Sequence, residues 1–323
     1  VTVVESQPVL GGLAAAREFH PGYRAPGFHL DASRVRPFAD TALGLELPRR
    51  PRAALVLPSR DGKELRVDHA AADALSGDVS ARDREGYASL RALVAKVKPV
   101  LLRIVDAEPP SVRDSLWRLA RTGFAARRLG AATLTELLRV GPMSVADWMS
   151  DLLESDRLRA GLAFGALEGS FTGPMSAHSA LLLLIREAMS EADVVGGPAA
   201  VAAALEQRAR ALGVDLRTSS RAAKVICDER GATHVVLEGG EELPTSRVLS
   251  TLDPKRTLAL LAPQWTPLDL GDGVRAYRMR GATAVVWVAL SGPLETRAGT
   301  KPEVLRTGDT VADVERAFDA AKY

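Results

Sequence analysis

The period of the hydrophobic positions changes several times along this chain, and each change marks a different kind of structure. Val1-Thr2-Val3-Val4 is an apolar run closed by an acid, Glu5. It predicts a strand, read as the interior of a buried sheet, so further sequence is expected upstream of it. Gln7-Pro8 and the Gly11-Gly12 pair interrupt the run before the alanine-rich stretch Leu13 to Ala16. From Arg52 to Asp68 a hairpin is predicted, with Ala54 to Leu57 and Glu64 to Val67 flanking the turn signal Asp61-Gly62. From about Ala70 to Glu191 the period becomes helical. Leu90, Leu93, Val94, Val97, Leu101, Ile104 and Val105 fall mostly three or four apart on one stripe. Pro99 lies in that stripe and is expected to kink or split the helix. Further helices are predicted over 111–129, 133–138, 145–153, 156–164 and 176–191.

At Val194-Val195-Gly196-Gly197-Pro198 the pattern changes back. Pro198 suits the first turn of a helix, Val201, Leu205, Ala209 and Leu212 recur at helical spacing, and Gly213 suits the position just past its end. Short strands are then predicted at Val214 to Arg217, Ala223 to Cys227, Thr233 to Leu237 and Arg247 to Ser250, separated by turns at 228–231 and 238–241. Thr283 to Leu290 is a last strand candidate, and the stretch before Tyr323 reads as helical. An apolar helical block thus lies between strand-rich segments, as an inserted cap domain would.

The chain has 323 residues, 46% hydrophobic and 25% charged, the profile of a globular protein. At roughly 150 residues per domain, about two domains are expected. A net charge of +2 gives no argument for a nucleic-acid partner, and clusters such as Arg49-Arg50 with Arg52 read as solvated faces. Cys227 is the one cysteine, so no disulfide forms within the chain; its neighbours predict a small buried strand residue. The longest aliphatic run, Ala180 to Ile185, is far short of the roughly 20 residues that span a bilayer. The expected location is cytoplasmic, with peripheral association with a membrane left open.

Two ordered sets of residues carry more than general α/β grammar. One is Val3-Val4-Glu5-Ser6-Gln7-Pro8-Val9-Leu10-Gly11-Gly12-Leu13-Ala14. The other runs from Val195-Gly196-Gly197-Pro198 through Arg221 to Val225 and on to Val248-Leu249-Ser250-Thr251-Leu252-Asp253-Pro254. Together they resemble the FAD-dependent oxidoreductases of the amine-oxidase superfamily, in particular its phytoene-desaturase-like branch. Pro21-Gly22-Tyr23 to His29 is similar to the family's segment leading towards the flavin, and Tyr277 to Ala284 to its entry into the substrate domain. Relatives of this kind extend further at both ends, so the chain is expected to be an incomplete copy.

The resemblance implies an α/β fold: a Rossmann-like FAD-binding domain, discontinuous and incomplete, made of 1–50 and 193–262. A helical plus mixed-sheet substrate or cap domain, made of 51–192 and 263–323, would be inserted into it. It also implies roles. Glu5, with Ser6 beside it, would accept from the adenosine ribose, where an acid at the end of a second parallel strand is placed to do so. Gly11 and Gly12 would let the backbone approach the pyrophosphate and flavin. Val225 would meet the adenine through its main-chain amide and carbonyl, and Ser250, Thr251 and Leu252 would lie near the dinucleotide. The plainer readings stay open beside these: a surface acid, a tight turn, a core strand residue.

In such enzymes the flavin accepts hydride and the protein supplies position and electrostatics, so no catalytic side chain is assigned. The five histidines lack metal-ligand spacing, and no metal is expected. Glu168 and Thr172 stand where a nucleophile elbow around Ser170 would need glycine. His29 is the histidine closest to the expected flavin, and Gly169 to Pro174 reads equally as a pocket lining or a helix cap. The expected function is an FAD-dependent dehydrogenase or desaturase acting on a hydrophobic, isoprenoid-like small molecule. A flavin amine oxidase and a noncatalytic or degenerate fragment are the alternatives.

Overall fold

The computed structural model describes residues 1–26, 31–69, 71, 74–107, 127–190, 192–281 and 283–322. The strands are β1 (Thr2–Val4), β2 (Ala16–His20), β3 (Tyr23–Pro26), β4 (Arg49–Arg50), β5 (Leu55–Pro58), β6 (Glu64–Val67), β7 (Leu75–Gly77), β8 (Asp193–Val194), β9 (Asp215–Arg217), β10 (Ala222–Asp228), β11 (Gly231–Leu237), β12 (Glu242–Pro244) and β13 (Val304–Leu305). The helices are α1 (Pro37–Leu43), α2 (Ala81–Asp106), α3 (Ala131–Val140), α4 (Val145–Leu152), α5 (Asp156–Leu167), α6 (Ser179–Met189), α7 (Gly197–Ala211), α8 (Pro254–Ala259), α9 (Leu268–Ala276) and α10 (Val311–Lys322). They divide into two compact units. Unit 1 is 1–30, 42–47 and 198–279; unit 2 is 31–41, 48–197 and 280–323.

Unit 2 is built on a four-stranded sheet in the order β13-β5-β6-β7 with helices packed on it. The hairpin turns at Gly62, whose φ of 84° only glycine adopts freely, and sets Leu55 opposite Val67 and Leu57 opposite Leu65. Leu65 and Val67 point inward while Arg66 points out, the period-two alternation of a sheet with one buried face. Serine side chains start three helices. Ser80, Ser144 and Ser155 each accept from the backbone N–H three residues on, at 3.1, 3.1 and 3.4 Å, so one orphan amide at each start is satisfied. Gly86 lets α2 close on the end of α4, since a Cβ there would lie 1.9 Å from the carbonyl oxygen of Leu152. Tyr87, Leu90, Val97 and Leu101 of α2 then join Trp148, Met149, Leu158, Leu183 and Leu184 in one core.

Unit 1 has a different construction. β1 pairs in parallel with β9, and α7 leads into β9 through Gly213, at φ 73°. The connection βαβ-style is what an α/β fold requires of parallel neighbours. β10, β11 and β12 form an antiparallel meander, and β2 and β3 a separate hairpin. Among the described residues its buried apolar side chains are only Ala15, Ala25, Pro198, Val225 and Leu237.

Several expectations are corrected. β1 is not buried: Thr2 and Val3 are exposed and Val4 is half-buried, since among the described residues the strand is paired only along its β9 edge. α2 runs unbroken through Pro99 for 26 residues. The one hydrogen bond that proline removes is offset by apolar burial at Val97, Val100 and Leu101 around it. Arg247 to Ser250 and Thr283 to Leu290 form no strand among the described residues. Leu249 is accordingly 93% exposed. Cys227 is half-buried rather than buried. Residues 263–279, expected in the cap, pack in unit 1, while 31–41, 48–50 and 193–197 pack in unit 2. The helix expected over 111–129 lies outside the described residues as far as 126, as do Gly27, Phe28 and His29.

Candidate functional site

In unit 1 the acidic end of β1 is tied to the approach to β10. Glu5 N–H donates to Arg217 O at 2.8 Å, Ser220 N–H to Glu5 O at 2.8 Å, and Ser219 N–H to Gln7 O at 3.0 Å. Ser219 takes a left-handed φ of 50° to make this turn. The meander carrying Val225 is a separate sheet, yet its first strand begins two residues beyond this backbone zip. One carboxylate oxygen of Glu5, Oε1, accepts from Gln7 N–H at 2.8 Å and from the Ser6 hydroxyl at 3.1 Å. Its other oxygen accepts no bond from a described residue, and the side chain is half-buried. A ligand hydroxyl could be received there without breaking the turn.

The two glycines differ. Both have positive φ, 106° at Gly11 and 55° at Gly12. A Cβ on Gly11 would lie 2.8 Å from the Ala202 Cβ of α7, so Gly11 is glycine because a helix presses on it. A Cβ on Gly12 would meet nothing within 4 Å. The open approach belongs to Gly12 and the packing constraint to Gly11. Val225 is buried, and its N–H donates to Leu260 O at 2.7 Å. The amide expected to meet adenine is therefore already bonded. Ser250 Oγ bonds Thr257 Oγ1 at 2.8 Å and accepts from Leu252 N–H at 3.2 Å, while Asp253 caps α8 through Arg256 N–H at 2.9 Å. These residues form the start of a short helix, with Thr251 and Leu252 exposed. No hydrogen bond among the described residues joins them to Glu5 or Gly12.

In unit 2, the loop from Gly169 to Pro174 packs on α10: Gly173 leaves no room for a Cβ beside Phe318 and Glu315, and Phe171 stacks edge-on with Phe318 at 5.4 Å. Beside that loop lies a charged group the hydrophobic pattern does not reveal. Glu168 pairs with Arg186 and, at 3.1 Å, with Arg306; Arg306 also donates to Gly161 O at 2.7 Å. Arg52 pairs with Glu187 at 3.0 Å. All five side chains are less than one-fifth exposed. Burial works to raise the Glu187 carboxyl, and the Arg52 guanidinium outweighs it, holding the group below the ordinary carboxylate value. His69, near Arg52, Glu187, Arg306 and Arg91, is pushed down to about 4, first by burial and then by the Arg52 charge. The one sequence signal was Arg186-Glu187 directly after the apolar run on α6, where a buried helix should not carry charge without partners.

Comparison with known proteins bears on both units. The family model described as flavin containing amine oxidoreductase matches residues 1–294. Two curated relatives, from Rattus norvegicus and Mus musculus, are described as pyridine nucleotide-disulfide oxidoreductase domain-containing protein 2. They are 28% and 27% identical over 299 residues, covering 82% of this chain and 51% of each relative. The chain thus spans about half the length of the curated relatives it matches. Among solved structures, an oxidoreductase from Methanosarcina mazei is similar with a TM-score of 0.52 at 12% identity, over 85% of this chain and 59% of that one. At that identity the likeness speaks for the fold, an α/β fold of mixed helix and sheet.

Proposed function

The chain belongs to the flavin containing amine oxidoreductases, and from that membership we propose that it carries part of the FAD site of an oxidoreductase that removes hydride from a hydrophobic substrate. The observation that carries the reading is the zip of residues 5–7 onto 217–220, which sets Glu5 beside the start of the meander. When bound, FAD supplies a two-electron acceptor for hydride. The rest falls to residues of this chain. Glu5 would accept a ribose hydroxyl on the carboxylate oxygen that has no bond, with Ser6 steadying the other oxygen. Gly12 would admit a phosphate against its open face, while Gly11 would keep α7 close behind it. With Val225 held in a parallel bridge to Leu261 and its N–H given to Leu260, that amide would not serve the adenine. Ser250, Thr251 and Leu252 would flank the dinucleotide through the α8 start.

The FAD-binding part would be unit 1 and the substrate part unit 2, whose apolar helices favour an isoprenoid-like substrate. An amine is the rival substrate, favoured by the family's own description. The relatives' name mentions a disulfide, but one cysteine in these residues gives no redox-active pair here. No helix among the described residues is long and apolar enough to cross a membrane. Cytoplasmic location with peripheral membrane attachment is part of the same reading.

The direct test is to add FAD to the purified chain and follow quenching of the flavin fluorescence, with Glu5→Ala alongside. Saturable binding is expected, weakened about tenfold or more by the substitution, as for loss of a bond to a charged acceptor. Equal binding by both proteins would remove Glu5 from the site, and no binding by either would end the proposal for this chain. A panel of polyenes and primary amines, with flavin bleaching as the readout in a protein that binds FAD, separates the two substrates.

A further inference from the structure

We propose that Arg52, Arg186 and Arg306 of unit 2 form an anion-receiving subsite, which takes the carboxylate or phosphate head of a small molecule with an apolar body. The three guanidiniums come from separate places in the sequence, the approach to β5, helix α6 and the residue after β13, and they converge on two glutamates, Glu168 and Glu187. Three guanidiniums bring more N–H donors than these two carboxylates accept, in a region that is less than one-fifth exposed, and a buried donor left without a partner is costly. Asp31 balances part of the guanidinium charge through its field on Arg186, but its Oδ1 accepts from the Ser33 N–H and hydroxyl at 3.0 and 2.7 Å rather than from a guanidinium.

A second observation points the same way. Arg186 is 8% exposed, and its buried Nε has no hydrogen-bond partner among the described residues. A buried donor of this kind accounts for itself when something else accepts from it. Arg306 also lies over the ring of Phe164 at 5.1 Å, and that ring is partly exposed, so an apolar surface borders the charged floor. Tyr87, bonded by Arg91, and His69, whose carbonyl accepts from Arg91 at 3.0 Å, complete the surroundings. Burial first, and the Arg52 charge second, keep the histidine neutral there. Guanidiniums suit this task because their fixed fork of donors matches a carboxylate or phosphate.

The subsite stands on its own, because binding to it is measured without flavin. Calorimetric titration of the purified chain with decanoate, decanol and inorganic phosphate tests it. Decanoate should bind saturably, and decanol at least about tenfold more weakly, the difference expected of hydrogen bonds to a charged group. Phosphate binding as tightly as decanoate would support the subsite and identify a free anion, rather than an amphipathic molecule, as its ligand. Glu168→Gln removes the competitor of two guanidiniums and should tighten decanoate binding several-fold, whereas a network with only a structural role would gain no affinity. Should that variant fail to fold, Arg306→Lys should keep most of the binding and Arg306→Gln lose about tenfold. Decanoate and decanol binding alike, neither anion binding to the folded chain, or Arg306→Gln binding like the parent would each overturn the proposal.

Discussion

Units 1 and 2 hold themselves together by different means. Unit 2 has one continuous core, in which Leu65, Val67, Val97, Trp148 and Leu158 are almost wholly buried. Unit 1 buries two alanines, a proline, a valine and a leucine among its described residues, and leaves Leu212, Leu249 and Leu268 largely exposed. Its order rests on backbone pairing, on the zip between 5–7 and 217–220, and on close packing at Gly11. Apolar burial contributes about 25 cal/mol per Å² and dominates folding. The lesson is that the part carrying the proposed cofactor residues is the part least stabilised by its own side chains. Anything that binds only its ordered form would stabilise it strongly by mass action.

The contrast can be broken with paired substitutions. The largest effect is expected from Leu65→Ala, which empties a fully buried site on β6 and should cost about 2–5 kcal/mol in urea unfolding. Leu249→Ala in unit 1 should change stability by less than about 0.5 kcal/mol, as an exposed position does. If the two cost the same, the asymmetry between the units is wrong.

Acid sharpens the comparison next. In folded unit 2 the titration of His69 lies at about 4, against 6.5 for an ordinary histidine. Between these values the unfolded chain takes up a proton that the folded chain refuses. Stability is therefore complete above about pH 6.5 and falls as the pH drops towards 4, by on the order of 3 kcal/mol. Hydrogen exchange at pH 7 and 4.5 should show unit 2 loosening, and His69→Gln should flatten that dependence. The smallest effect separates the two glycines. Gly12→Ala should cost about 1 kcal/mol, for the left-handed backbone alone. Gly11→Ala adds the clash with Ala202 and should cost about 1–3 kcal/mol more in thermal unfolding. Equal losses at the two positions would show that α7 does not press on Gly11.

How far the sequence could be read follows from what each signal depends on. The hairpin at Asp61-Gly62, the helices over 131–167 and the punctuated helix from Gly197 were legible because period, cap and turn residue agree locally. The hairpin of β2 and β3 was not anticipated, although Pro21-Gly22 at its tip is a turn signal; polar residues on both strands hid the alternation. Arg247 to Ser250 and Thr283 to Leu290 have strand composition, but a strand exists only where a second backbone runs alongside it in register, and composition does not specify that. Of the candidate site, the acid and the glycines were visible as types. Sequence could not tell which glycine faces a helix, nor that Leu260 takes the Val225 amide, because both depend on residues far along the chain. The arginine–glutamate group was hidden for the same reason: its members meet from sequence separations of up to about 250 residues.

Arg49 gives the chain's path a further property. Its guanidinium donates to Val35 O at 2.6 Å and to Ala192 O at 3.4 Å, and grips Asp40 at 2.7 Å, while Val195 N–H donates to Pro48 O at 2.8 Å. The polypeptide passes between the units at 30/31, 41/42, 47/48, 197/198 and 279/280. One side chain thus staples together, on the unit 2 side, strands of chain leaving through three of those five gates. A protease that nicks the short excursion 42–47 would leave both new ends moored on the unit 2 side, and the β1–β9 pairing would hold the two pieces a second time.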